Sequence, residues 1–300
     1  MADNNETNSE KIPLLATGLN GLVGSKFTQL FQDKYTFDGL DIRHPTHPVD
    51  ITDKQAVDQA IGQSQAQSLI HLAAFTNVTA AWKQNNDKNG LAYQVNVIGT
   101  QNIVEACQKY HKHLIHISTA YIFDGEKDEM YLESDQPNPI EWYGQTKLEA
   151  EGIVTNSDLN WAILRIDQPF RSDPFEKTDM AHKIIQGLTA NELYPMFDNH
   201  YFGPTYINDF AKVLDFFVSQ QKTGLFHATS GEKWSDFTFA QTIKEQLNLP
   251  GDIKRGDLND YLKKLDRPYQ RNTALNNDKL VAEVSFELKS VKQAVAEIEI

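Results

Sequence analysis

The chain has 300 residues, 40% of them hydrophobic, enough for a real core in one large or two modest domains. Its 28 basic residues stand against 41 acidic ones, a net charge of −13, and such a surface repels phosphate backbones and anionic lipid, which excludes nucleic acid and membrane as expected partners. A phosphate-bearing ligand must therefore be held by a local device such as backbone amides.

In chain order, MADNNETNSEK has neither the basic nor the apolar region of a signal peptide, and residues 1–11 read as a disordered tail. Ile12 to Ala16 is a short apolar strand. Leu22, Val23, Phe27, Leu30 and Phe31 then fall on one side of a helix. A second strand is expected over Thr36 to Asp41, closed by His44-Pro45 and His47-Pro48, and a helix follows to Gln63 with Thr52 or Asp53 as its N-cap. SLIHLA (68–73), LIHIS (114–118) and WAILRI (161–166) read as buried strands, separated by helices up to about Tyr110 and near 142–156. Strands alternating with helices at this pace imply βαβ units. The expected fold class is therefore α/β, a Rossmann-type doubly wound parallel sheet over residues 12–169. From about 170 the segments shorten and prolines accumulate, with helices expected at 207–221, 235–247 and 288–297 and a strand at 225–228. That region reads mainly as a smaller C-terminal substrate-binding lobe, residues 170–300, with elements free to interleave. No apolar run approaches the ~18 residues of a membrane span. Cys107, the single cysteine, rules out an intramolecular disulfide framework and a multi-cysteine zinc site. A cytoplasmic protein without a bound metal is the expectation.

TGLNGLVG (17–24) places Gly18, Gly21 and Gly24 three apart, between the first strand and an amphipathic helix. About one chain in twenty of this glycine content carries such a triplet by chance, so position is what matters. There, a tight turn and a free helix N-terminus can cradle a pyrophosphate. Asp41, 17 residues past Gly24, stands where an acid accepts hydrogen bonds from an adenosine ribose, which favours NAD. Arg43 could instead serve the 2′-phosphate of NADP. Asp50 and Ile51 are candidates for the adenine side, with a helix cap the competing role for Asp50.

Tyr143 and Lys147 share a helix face at i and i+4. A tyrosine alone is a poor acid at neutral pH, and a nearby ammonium favours the tyrosinate and adapts the hydroxyl for proton transfer. About one Y-x-x-x-K is expected at random here, so the spacing alone decides nothing. Ser118 and Thr119 end a buried strand, and strand carboxyl ends are where ligands sit in parallel sheets.

With these features in this order, the chain resembles the extended short-chain dehydrogenases, and within them the dTDP-4-dehydrorhamnose reductase group. The likeness runs through TGLNGLVG (17–24), HLAAFTNV (71–78), VNVIGTQN (95–102), ISTAYIFDG (117–125), WYGQTKLEAE (142–151) and PTYINDFA (204–211). It implies an NAD or NADP domain and a lobe that takes a nucleotide sugar. Tyr143 would then be the acid/base, Lys147 would hold the ribose and tune Tyr143, and Thr119 would orient the carbonyl beside Ser118. Gly18, Asn20, Gly21, Leu22 and Gly24 would line the pyrophosphate, Ala73 and Ala74 would run along the cofactor, and Asn96 would be structural. Two departures stand out. The group's S-T-D-Y-V-F reads S-T-A-Y-I-F here, with Ala120 for the acid, and its late R-P-x-N-S-x-L becomes RPYQRNTAL (267–275), leaving Arg267 and Arg271 as candidates for a diphosphate. The leading expectation is an NAD(P)-dependent reductase of a keto group on a nucleotide-activated deoxysugar. The alternatives are a nucleotide-sugar 4-epimerase that retains NAD and a non-catalytic NADP-binding regulatory subunit, such as that of methionine adenosyltransferase. A homodimer is the further partner to be considered.

Overall fold

A computed structural model describes residues 10–44 and 46–300; of the tail expected over residues 1–11, residues 1–9 lie outside these, as does the proline of His44-Pro45. Six strands form one parallel sheet: β1 (Ile12–Thr17), β2 (Tyr35–Leu40), β3 (Ser68–His71), β4 (His113–Thr119), β5 (Trp161–Ile166) and β6 (Gly224–His227), ordered β6-β5-β4-β3-β1-β2. The order reverses between β1 and β3, which opens a crevice at their carboxyl ends. Expectation and structure agree on a doubly wound α/β architecture.

Alternation along each strand explains the two layers. Leu14 and Ala16 point to one face, where Phe27 of α1 (Leu22–Phe31) meets Phe210, Leu214 and Phe217 from a helix of the later chain. Leu15 points to the other face, against Val57 and Ile61 of α2 (Lys54–Gln63) and Ile103 and Cys107 of α3 (Thr100–Lys109). Asp53 is the N-cap of α2, accepting from Gln55 and Ala56 N–H. The expected long helix to Tyr110 is instead three segments, with Gln94–Gly99 wound as a π-turn between Leu91–Tyr93 and α3. Within that turn the Thr100 hydroxyl donates to the Asn96 carbonyl at 2.7 Å.

Next come α4 (Trp142–Thr155), α5 (Met180–Thr189), α6 (Ile207–Gln220) and α7 (Asp236–Gln246). Helix α5 was not anticipated. With α7 and Val291–Val295 it encloses a second core around Phe170, Ile184, Leu188, Phe202, Phe239 and Ile243. The chain after residue 170 thus serves both bodies. α6 packs on the sheet, where Asp215 takes hydrogen bonds from Lys34 and Tyr35, and β6 extends the sheet beside β5. No helix among the described residues is long and apolar enough to cross a membrane.

Candidate active site

Two clusters of side chains meet at the carboxyl ends of the strands. The first is the glycine loop. Gly18 adopts φ +69°, and a Cβ there would lie 2.9 Å from the Ala73 nitrogen, so only glycine lets β1 and β3 close on each other at the switch point. Thr17 Oγ1 takes the Ala73 N–H at 3.0 Å and fixes the same approach. Gly21 starts α1 in extended conformation without a side-chain cap, leaving the first-turn amides of Leu22 to Gly24 to a ligand. Asp41 lies one residue beyond β2, buried, with one oxygen on Asn20 N–H at 3.4 Å and the other on Arg43 N–H at 2.8 Å. The exposed Arg43 guanidinium reaches back to the Asn20 carbonyl at 3.2 Å. A cavity of about 360 Å³ opens here, lined by Leu19, Asn20, Ser25, Thr28, Asp41 and His44 among others. Ala74 follows Ala73, half-buried along the crevice.

Asp50 stands apart. It is exposed and accepts from the Thr52 N–H and hydroxyl, which makes it a turn-former rather than the cap of α2. Ile51 is buried, its carbonyl held by Asn102 Nδ2 at 2.9 Å and its side chain under Gly99.

The second cluster is built by α4 against the end of β4. Glu141 caps the helix with both oxygens, accepting from Tyr143 and Gly144 N–H at 2.7 Å each. A Cβ on Gly144 would overlap the Tyr121 carbonyl. Glycine there lets the helix press onto the turn after β4 and brings Tyr143 against Thr119. Tyr143 is 8% exposed and meets Tyr121 edge to face at 5.9 Å. Burial pushes its hydroxyl pKa up, the Thr119 side chain works in the opposite direction, and Glu141 and Asp167 add to the rise. Tyr143 is therefore held as the neutral hydroxyl. Lys147, one turn on, is also buried and donates to the Ile117 carbonyl at 2.7 Å. Burial lowers its pKa to about 8 while Glu151, another turn on, pulls it back up. Ser118 Oγ is buried without a partner among the described residues, and Thr119 Oγ1 accepts from Tyr121 N–H at 3.2 Å.

A polar chain joins the two clusters. Thr17 bonds His71 Nδ1 at 2.8 Å, His71 Nε2 bonds Thr100 Oγ1 at 3.1 Å, and Thr100 donates to the Asn96 carbonyl. Asn96 pairs with both backbone groups of Phe75 and donates to Thr146 Oγ1, which donates to the Tyr143 carbonyl. Burial drives His71 down to about 3 from an ordinary 6.5, helped by the Lys147 charge, and His116 shifts the same way. The folded state thus keeps His71 neutral where the unfolded chain takes a proton. Stability is complete above pH 6.5 and is lost as pH falls toward 3. Unfolding in denaturant at pH 6.5 and 4.5 should show a loss of about 2–3 kcal/mol from His71 alone, and a shallower loss in His71→Gln.

Several of these residues were not singled out in the sequence. Glu141 had a readable signal, an acid just before the helical pattern. So did Asp167, an acid directly after a buried strand. Arg171 had none. It reaches Ser25 Oγ at 2.7 Å and the Leu22 carbonyl at 3.3 Å from the far body, and its partner Asp173 also holds Lys26 at 2.7 Å, placing two buried cations beside the first turn of α1. Across the mouth, Lys177 bonds Thr76 and Arg267 bonds Thr79. The Arg267 charge is felt by Tyr121 and Glu141, whereas Arg271 is exposed and turns to Asn259.

Residues 12–299 match the model of the RmlD substrate binding domain. The chain belongs to this family. It is 32% identical over 265 residues to a dTDP-4-dehydrorhamnose reductase of Aggregatibacter actinomycetemcomitans, covering 81% of this chain and 85% of the relative. It is also 27% identical over 267 residues to methionine adenosyltransferase 2 subunit beta of Bos taurus, covering 82% and 75%. Among solved structures, a dTDP-4-dehydrorhamnose reductase from Bacillus anthracis in complex with NADP superposes with a TM-score of 0.85 at 23% identity, over 95% of this chain and 98% of that one. As an RmlD-type chain, it shares the fold of that reductase over nearly all of its described residues.

Proposed function

We propose that this chain is an NAD(P)H-dependent reductase of the keto group of a nucleotide-activated deoxysugar, of the dTDP-4-dehydrorhamnose reductase type. The observation that carries the reading is the buried Tyr143–Lys147 pair packed against Thr119, at the open end of a sheet whose glycine loop leaves helix amides free. The residues fit a dinucleotide: Gly18 lets the loop close tightly over the end of β3, and the first turn of α1 offers donors backed by Lys26 and Arg171. In this reading Gly18, Asn20, Gly21, Leu22 and Gly24 hold the pyrophosphate, Asp41 or Arg43 the adenosine ribose or its phosphate, and Ala73 and Ala74 flank the chain of the cofactor. Arg267 faces the sugar diphosphate. We keep residues 12–169 as mainly the cofactor body and place the substrate lobe in the later chain, less α6 and β6.

Bound NAD(P)H supplies the hydride. Ser118 and Thr119 orient the carbonyl oxygen toward Tyr143, which gives its proton to the alkoxide as the carbonyl becomes a secondary alcohol. Lys147, charged near neutral pH, stabilises the resulting tyrosinate until solvent restores the proton. A cytoplasmic setting and a homodimer belong to the same reading, the latter read by sedimentation.

The test is a fluorescence titration with NADH and NADPH, followed by turnover of a dTDP-4-keto-6-deoxyhexose. Micromolar binding of one cofactor with turnover is the expected result. A preference for NADH assigns the ribose to Asp41, and one for NADPH assigns it to Arg43. Binding without turnover transfers the chain to the regulatory-subunit alternative raised by the beta-subunit relative, and no binding overturns the assignment.

A further inference from the structure

The paired register of β4 and β5 ends with Thr119 opposite Ile166, so Ala120 and Asp167 are the next residues along the two neighbouring strands. Ala120 is fully buried in a cluster with Ile122, Phe123, Tyr131 and Leu275, where a carboxylate would be stranded among apolar groups. Asp167 brings a carboxylate to the same end of the sheet from the adjacent strand. It is 2% exposed. Its Oδ2 is satisfied by the Thr273 hydroxyl at 2.7 Å and the Gly203 N–H at 3.0 Å. Its Oδ1 is equally buried and has no hydrogen-bond partner among the described residues. A buried carboxylate oxygen without a donor is costly, and native folds keep few of them without a reason. The charge of Asp167 acts on both Tyr121 and Tyr143, whose rings are in contact.

We propose that Asp167 Oδ1 accepts a hydrogen bond from a hydroxyl of the keto sugar next to the reacting carbonyl, so that β5 supplies the acid that β4 lacks at Ala120. The inference rests on the reductase reading above. Asp167 acts as a specificity residue: Thr273 and Gly203 hold one oxygen and leave the other as the free acceptor. Although burial raises its pKa to about 7, a hydroxyl donated to that free oxygen favours the charged form.

Asp167→Asn isolates this role. Its amide oxygen still accepts from Gly203 and Thr273, while the free oxygen becomes an amino group that cannot accept. The full-length protein and this variant are assayed with the preferred cofactor on a dTDP-4-keto-6-deoxyhexose and on its 3-deoxy analogue. The expected result is a 10- to 100-fold fall in kcat/KM on the hydroxylated sugar, less than threefold on the analogue, and cofactor affinity within twofold of the parent. Thr273→Val, which leaves Oδ1 untouched, should retain the parent's preference for the hydroxylated sugar. An equal fall on both sugars, or none, overturns the proposal. If the parent protein turns over neither sugar, the reductase reading itself fails and the proposal falls with it.

Discussion

Tyr143→Phe should lose turnover by 10²- to 10⁴-fold while binding NADH or NADPH within about twofold of the parent. The change removes one oxygen and nothing else, since the ring keeps its edge-to-face contact with Tyr121 and its place one turn before Lys147. The magnitude follows from the step proposed for the hydroxyl. Without it the alkoxide must take its proton from water in a site that buries Tyr143 to 8% exposure. Thr119 is the nearest rival, but its oxygen accepts from the Tyr121 amide and caps a turn. Single-turnover kinetics with saturating cofactor is the decisive measurement. A variant that keeps more than a tenth of the parent rate removes Tyr143 from the proton-transfer role.

The second large effect concerns stability. Glu151 and Arg165 form a two-pronged ion pair between α4 and β5, at 2.7 and 2.9 Å, with both side chains almost entirely buried. The Arg165 guanidinium also lies 5.4 Å from the centre of the Phe123 ring. Removing either partner leaves a charge in a low-dielectric interior, and Glu151→Ala or Arg165→Ala should each cost about 3–5 kcal/mol. The double variant Glu151→Leu/Arg165→Met should recover most of that loss, because the desolvation penalty disappears with both charges. Denaturant melts of all four proteins read these differences. Loss of Glu151 also removes the charge that holds Lys147 up. Equal melting of parent and single variants would mean that water reaches the pair.

Much of this architecture is legible in the sequence because its cues are local. A buried strand such as SLIH or HLIHIST is a run of apolar residues between turns, and α2 announces its start through Asp53. The Tyr143–Lys147 pair is fixed by helix geometry once the helix is assigned. What escaped the reading is set by contacts distant in sequence. Arg171 meets α1 across 146 residues, Thr273 meets Asp167 across 106, and no local pattern marks either pair. Helix α5 was hidden by the surrounding prolines, and the π-turn by an apolar spacing that a regular helix satisfies nearly as well. The different surroundings of Arg267 and Arg271, beside Thr79 and Asn259 respectively, likewise needed the fold, since both sit in one short segment.

The return of the later chain to the first sheet has a consequence for modularity. After β5 the polypeptide leaves, builds part of the second core, comes back as α6 and β6, leaves again, returns to the first core with Leu280 to Leu288, and ends in the second. The second core is thus built from separate pieces of chain around a sheet strand and is not a cap appended to a finished domain. A cut at residue 169 would strip β5 of its neighbour and bare a row of unpaired backbone groups along an apolar edge. Exchanging the second core between relatives therefore requires a crossover on each side of both the 207–227 and the 280–288 segments, which favours exchange of loops on a fixed frame over shuffling of whole domains.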